Sequence, residues 1–494
     1  MTNRSAALVL IAAIALGAAG DGLLRAGPWG VNLFVWVTAL VSVAVVVFQR
    51  RRGGTPVKLA LLFTPPLCFA FAVAWRDAPV LTAWNVLAVA LALTLPVTSL
   101  LGIDLRFGRV LDYVAGLVTT GFNAAFGGIL FAAEDVEWRA VPHHGRVRRA
   151  AAVAVGVVLA VPVALVFGAL LMAADPGFER LIRSIFDWDF ETIISHALLT
   201  ALLTWLVIGY LRSILRSARS PLPWEPLTKP SLGIVELGIP LGMLMLLFVA
   251  FLVLQAEYLF GGEELIRRTT GLTYAEHARR GFFELVVVSA LALPLLLAAD
   301  WALDRRDPTT VRRFRLLAAV LVVLLGLVVL SAVHRMALYL DAYGLTQARV
   351  YASAVLVWAT VSIGWFAATV LRDQSQRFAF GSVVTGFAVL AVLNVANPDA
   401  MVVRVNVARG EAGRELDSAY LTDLSADGAA ALVAALPALP QEARCAVAET
   451  LERRWLDDVG GDWRSWNVAR WQARRAVRRD RPAWPSCPPK AGEP

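Results

Sequence analysis

The sequence predicts an all-α fold: a polytopic transmembrane helical bundle of about eleven spans, with a small α-helical C-terminal domain. Three observations predict it. Of 494 residues, 58% are hydrophobic and only 17% are charged, against about 25% charged in soluble chains. Apolar runs near the length of about 20 residues that crosses a bilayer core recur along the chain. Short arginine-bearing loops separate these runs until a polar segment begins, dividing the chain into residues 1–397 and 398–494.

The runs place spans at 5–20, 29–48, 57–75, 81–101, 150–174, 194–211, 233–254, 281–299, 316–333, 350–371 and 380–395. The first ends in Leu16-Gly17-Ala18-Ala19-Gly20, which is similar to a signal-peptide cleavage site. Only Arg4 supplies charge before it, so the expectation is retention. Segment 110–133 is apolar enough to cross but carries Asp112, Asn123 and four glycines. Arginines flank it on both sides (Arg106 and Arg109; Arg139, Arg146, Arg148 and Arg149). A crossing would export one flank, so the segment reads as re-entrant or interfacial, with both ends on one side.

Orientation follows from Lys and Arg, which favour the cytoplasmic side of short loops. With the N-terminus inside, the inner loops hold 22 basic residues, the outer loops 10 and the tail 14. This predicts a cytoplasmic N-terminus and an extracytoplasmic tail. The eight basic residues from Arg464 to Lys490 argue the other way, since such a stretch also suits an anionic inner leaflet. Prolines inside spans (Pro65, Pro66, Pro96, Pro162, Pro240 and Pro294) free backbone carbonyls that neighbouring helices must satisfy, which points to a packed bundle.

Composition also excludes. Of 46 basic residues 43 are Arg, with no aromatic-interleaved basic patch, zinc-finger spacing or phosphate loop, so nucleic acid is not an expected partner. No metal-ligand spacing and no Ser/His/Asp or Cys/His constellation can be assembled, and no cofactor is expected. His143 and His144 are adjacent, and His196 and His277 stand alone. Three cysteines cannot make a disulfide framework. Cys68 lies in an apolar run, while Cys445 and Cys487 either pair in an oxidising compartment or are unrelated thiols.

With this topology, polar residues gather at the outer end of the bundle. Asp21 and Arg25 follow the first span, Arg76 and Asp77 join the third and fourth, and Asp175 ends the fifth. Gln255, Glu257 and Tyr258 close the seventh; Tyr274, Glu276, Arg279, Arg280 and Glu284 lead into the eighth. His334, Arg335, Tyr339, Asp341 and Tyr343 follow the ninth, and Asn394 and Asn397 finish the last. Ionisable groups at membrane depth pair or face a cavity, and arginines grip phosphate or carboxylate. Gln255, Glu257, Tyr258, Tyr274, Glu276, Arg279, Arg280, Arg335, Tyr339, Asp341 and Asn397 are therefore the candidate ligand-binding residues. Polar loop ends with interfacial Tyr and Trp are also ordinary in membrane proteins. Glu236, one turn inside the seventh span, can relay protons or seat a cation, or can snorkel to the interface.

Several strings are specific: Gln255-Ala-Glu-Tyr-Leu-Phe-Gly-Gly262, Gly271-Leu-Thr-Tyr-Ala-Glu-His-Ala-Arg-Arg-Gly-Phe-Phe-Glu-Leu285, Asn397-Pro-Asp-Ala400 and Asp462-Trp-Arg-Ser-Trp-Asn467. To these add Ser331-Ala-Val-His-Arg-Met-Ala-Leu-Tyr-Leu-Asp-Ala-Tyr-Gly-Leu-Thr346 and Leu416-Asp-Ser-Ala-Tyr-Leu-Thr-Asp-Leu-Ser-Ala-Asp427. Together they resemble an uncharacterised bacterial multi-pass membrane family, domain of unknown function 4173, which is close to family 4153. The resemblance runs from the first span to Arg470 and implies fold and compartment but no activity. It also implies an aromatic residue more often than a histidine at His277, which argues against a mechanism there.

In the tail, helices are expected at 429–436, 441–457 and 462–479, the last carrying Trp463, Trp466 and Trp471 opposite arginines. Its apolar side is expected to pack on the tail's own core; binding to the membrane surface is the sharper alternative. Three functions fit. The first is binding or transport of a small anionic or lipid-headgroup ligand through the outer polar mouth. The second is a non-catalytic sensor or scaffold with a protein partner of unknown identity. The third is a membrane-embedded transferase acting on a lipid-linked donor, with Asp21 or Asp77 as base.

Overall fold

A computed structural model describes residues 3–135, 190–216, 230–270, 282–456 and 462–484, with isolated positions between 153 and 180. Among these the chain is helical throughout. Its regular structure beyond helices is a single bridge between Leu232 and Leu303. Among the described residues, eleven helices are long and apolar enough to cross a membrane. Ten coincide with expected runs. The eleventh is Val110–Asp135, while the expected run 150–174 lies almost wholly outside the described residues.

The membrane helices are α1 (Asn3–Leu24), α2 (Val31–Arg52), α3 (Pro56–Trp75), α4 (Pro79–Leu100), α5 (Val110–Leu130) and α6 (Phe190–Arg216). They continue with α7 (Ile234–Thr270), α8 (Phe282–Ala302), α9 (Pro308–Tyr343), α10 (Gln347–Thr369) and α11 (Phe378–Ala396). Pro56, Pro79 and Pro308 stand at first helical positions, where no intrahelical N–H is lost. The helices run unbroken through Pro65, Pro66, Pro96, Pro240 and Pro294. At 36 and 37 residues, α9 and α7 reach about 55 Å, well beyond a core of about 30 Å.

The bundle has two cores. One joins α1–α4, α6 and the start of α10 through residues such as Ala13, Phe48, Leu81, Leu100, Leu211 and Tyr351. The other joins α7–α9 and the rest of α10 through Leu241, Leu296, Phe314, Leu325 and Phe366. Lipid tails are as apolar as Leu, so helices associate in membranes through small residues that permit close approach. In the first lobe, α1 meets α6 at Gly17 and Gly20, where an added Cβ at Gly20 would stand 2.6 Å from Leu203. Gly127 of α5 meets the backbone of Gly209 on α6 in the same way.

The bundle presents two ends. One, the tail face, carries Asp21, Arg76, Gln347 and Asn394, and the residues after Asn397 pack on it. The far face carries the α6 C-terminus and the start of α9. Here α5 qualifies an expectation. It is one continuous helix, yet both its flanks lie on the far face. Before it, Phe107 sits under the Arg377 guanidinium at 5.3 Å. After it, Glu134 and Asp135 meet Arg212 at 2.7 and 2.8 Å, at the end of α6 opposite Asp21. Between these flanks it meets α4 at Thr98 and α6 at Trp205 and Gly209. It buries Ala115, Gly116, Thr119, Asn123 and Gly127 and exposes Leu111, Leu117, Phe122, Phe126 and Ile129, small and polar inward and apolar outward.

The tail contains α12 (Pro398–Glu411), α13 (Ser418–Asp423), α14 (Ala426–Ala435), α15 (Gln441–Trp455) and α16 (Val468–Asp480). Its Val402, Leu432, Val447 and Val477 belong to the first lobe's core. The apolar side of α16 packs on the tail's core as expected, but it is not the tryptophan side. Its buried side is Ala469, Ala473, Ala476 and Val477, whereas Trp463, Trp466 and Trp471 are 65, 47 and 46% exposed. Small side chains let α16 approach α14 closely, and the indoles are left outside.

Candidate functional site

At the tail face, helix ends of the bundle and the tail satisfy one another. The first four N–H and last four C=O groups of a helix lack intrahelical partners. The tail supplies partners to four such ends. The Asp427 carboxylate accepts the N–H groups of Asp77 at 2.6 Å and Ala78 at 2.9 Å, before α4. Asn467 donates to the carbonyls of Val73 and Arg76 at 2.9 Å, closing α3, while its Oδ1 accepts the N–H groups that start α16. The Trp466 carbonyl accepts Val31 N–H at the start of α2, and the Tyr420 hydroxyl accepts Gln347 N–H at the start of α10. Asn397 then joins the end of α11 to the tail, donating to the Asp427 carbonyl at 3.0 Å.

Asp77 returns the favour to α14. Its carboxylate accepts Ala426 N–H at 3.3 Å, and Asp399 accepts both Ser425 N–H and Oγ–H, at 2.9 and 2.6 Å. Two arginines balance the three acids. Arg76 pairs with Asp427 at 3.2 Å and donates to the carbonyls of Asn394 and Val395, the favoured place for a cation at the end of α11. Arg470 pairs with Asp77 at 3.0 Å. Below them Asn85 and Asn394 exchange amide hydrogen bonds at 2.8 and 2.9 Å. Burial pushes the Asp77 carboxyl above its ordinary range, outweighing Arg470 and the Ala426 N–H. Burial raises Asp427 too, against the N–H groups of Asp77 and Ala78 and the charge of Arg76. The arrangement is a lock between two parts of the chain. It offers no open nucleophile or base.

The expected mouth is therefore divided. Arg76, Asp77, Asn394 and Asn397 do converge, but around the tail and not around a cavity. Arg335 is half-buried on α9, Gln255 is buried on α7, and Tyr339 packs under the Arg349 guanidinium at 3.9 Å. Asp341 is exposed, and its carbonyl accepts from Arg409 at 2.7 Å. Glu257 and Tyr258 lie on α7, with side chains outside the described set; Tyr274, Glu276, Arg279 and Arg280 lie outside the described residues. Glu236 is exposed in the first turn of α7 at the far face, with its carboxylate over Gly233, an interfacial position. A second cluster joins α1 to α6: Asp21 binds Arg25 at 2.9 Å and His196 Nδ1, and Arg25 donates to Ser195 at 2.7 Å.

Among the described residues no group of three or more His, Cys, Asp or Glu is placed to hold a metal. Cys445 is disulfide-bonded and Cys68 is a free thiol; Cys487 lies outside the described residues. Sequence reasoning did not single out Asp399, Ser425, Asp427, Asn467 or Gln347. The available signal was that four of them fall within the strings that carry the family resemblance.

A family model described as a domain of unknown function, DUF4153, matches residues 63–435. The match is to the neighbour of the family that the strings resemble, and the DUF4173 identification has no support from it. No curated protein and no solved structure matches the chain.

Proposed function

This chain belongs to the DUF4153 family, and from that premise we propose that it is a non-enzymatic binding or transport protein of the bacterial cell membrane. Its ligand is a small anion or a lipid headgroup, engaged at the tail face on the α7–α9 lobe. One observation carries the reading. The tail caps the polar ends of the first lobe and meets the end of α9 through Arg409 at the Asp341 and Ala342 carbonyls, whereas Gln255, Arg335 and Tyr339 lie on α7 and α9 of the second lobe, with the Arg349 guanidinium over the Tyr339 ring. An arginine fork beside aromatic rings suits phosphate or carboxylate.

The distribution of 22 basic residues against 10 supports an extracytoplasmic tail. The disulfide at Cys445 supports it too, since such bonds persist in oxidising compartments. A sensor or scaffold role is the second reading, favoured by the rigid seating of the tail. The transferase reading loses support because Asp77 and Asp21 are both held by cationic partners.

A ligand that binds only the folded state raises apparent stability. Thermal unfolding of the purified protein with a panel of small phosphates, carboxylates and phosphatidylglycerol tests the proposal. At least one compound should stabilise the native chain and lose its effect on Arg335→Ala or Gln255→Ala. Equal stabilisation of both variants, or none of the native chain, would remove this reading.

A further inference from the structure

The far face holds a concentration of charge that neither the joint nor the proposed ligand site uses. A pocket of roughly 400 Å³ opens beside the first turns of α9, lined by Arg305, Arg312, Arg315 and Asp373 among others. Asp373 pairs with Arg305 at 2.5 Å and with Arg315 at 3.1 Å, and Arg305 also reaches Asp300 at 2.8 Å. These acids orient two guanidinium groups toward one opening. Arg312 stands exposed beside them. Three arginines against two aspartates leave a local charge of about +1, matched to one phosphodiester.

Arg312 also heads a row. Arg312, Leu316, Val320, Val323, Leu327 and Leu330 follow at steps of four or three, which places them on one face of α9. Leu316, Val323 and Leu330 are 69, 63 and 61% exposed. On a membrane helix, an exposed apolar row is the face that meets acyl chains. Its charged end lies where headgroups lie, and Arg side chains there reach phosphate without leaving the interface.

We propose that this pocket binds the phosphate of an anionic phospholipid in the leaflet away from the tail, with acyl chains along the Leu316–Leu330 row. Arg312 and Arg315 grip the phosphate oxygens and Arg305 adds charge. Asp373 orients Arg305 and Arg315 and opposes the lipid at the same time.

The test equilibrates the full chain with mixed micelles of equal phosphatidylglycerol and phosphatidylcholine, then counts retained lipids by native mass spectrometry. The native chain should retain phosphatidylglycerol over phosphatidylcholine. Retention affinity should fall about fivefold for each arginine removed in Arg312→Gln and the double variant Arg312→Gln/Arg315→Gln. Asp373→Asn should strengthen it, which a folding defect would not do. Three results would overturn the assignment: phosphatidylcholine retained equally, an unchanged count in the double variant, or displacement of the lipid by inorganic phosphate alone.

Discussion

Asp77 and Asp427 each cap the other's helix. Asp427 accepts the N–H groups of Asp77 and Ala78 at the start of α4, while Asp77 accepts the Ala426 N–H at the start of α14. The exchange ties residues about 350 positions apart into one polar unit, and Arg76 and Arg470 neutralise it.

Removing one member should cost more than an ordinary cap. Asp427→Ala leaves Arg76 without its acid and two N–H groups without acceptors, in a site where Arg76 and Asp427 are 7 and 1% exposed at the side chain. A loss of about 3 kcal/mol is expected. Asp427→Asn keeps one acceptor oxygen and should recover part of it. Thermal unfolding in detergent, with limited proteolysis at residues 397–400, checks both.

Docking of the tail should strengthen toward mild acid. Burial raises the Asp77 and Asp427 carboxyls in the folded chain, so the native state keeps their protons to higher pH than the unfolded state does. Stability therefore falls as pH rises. This contribution is complete below the ordinary carboxylate range, about pH 4, and is lost as pH climbs through the raised native values. Tail proteolysis at pH 5 should be slower than at pH 7.5, and Asp77→Asn should flatten the difference.

The crossing of α5 and α6 should tolerate no side chain at Gly209. A Cβ there would overlap the Asn123 carbonyl and approach Ala124 Cα to 2.8 Å. Both obstacles are backbone, so the helices must part. Gly209→Val should destabilise by about 2 kcal/mol and lower the melting temperature of the purified protein.

Both flanks of α5 should label from one side. Cysteines replacing Arg106 and Glu134 in a chain lacking Cys68 should react with an impermeant thiol reagent under the same conditions, from spheroplast exterior or lysed interior alike. Opposite reactivity would make α5 a full crossing.

Ten spans were legible because hydropathy contrast against lipid is large, and no second signal competes with it over twenty residues. Arg76, Asp77, Asn394 and Asn397 were legible as a group because each ends or follows an apolar run. Asp399, Asp427 and Asn467 were not, because a polar residue in a polar tail carries no contrast. The partners of Asp427 and Asn467, moreover, stand hundreds of residues away. The tryptophans of the tail misled for a related reason: aromatic size suggested a core, but close packing of α16 required alanine.

Hydrogen exchange in lipid nanodiscs, followed at the amides of Asp77, Ala78 and Ala426 in the native chain and in Asp427→Ala, addresses the tail lock most directly. All three amides should exchange slowly in the native chain, and all three should accelerate together in the variant, because loss of one cap releases the other helix. Rapid exchange in the native chain, or acceleration of Asp77 and Ala78 while Ala426 stays protected, would contradict the account.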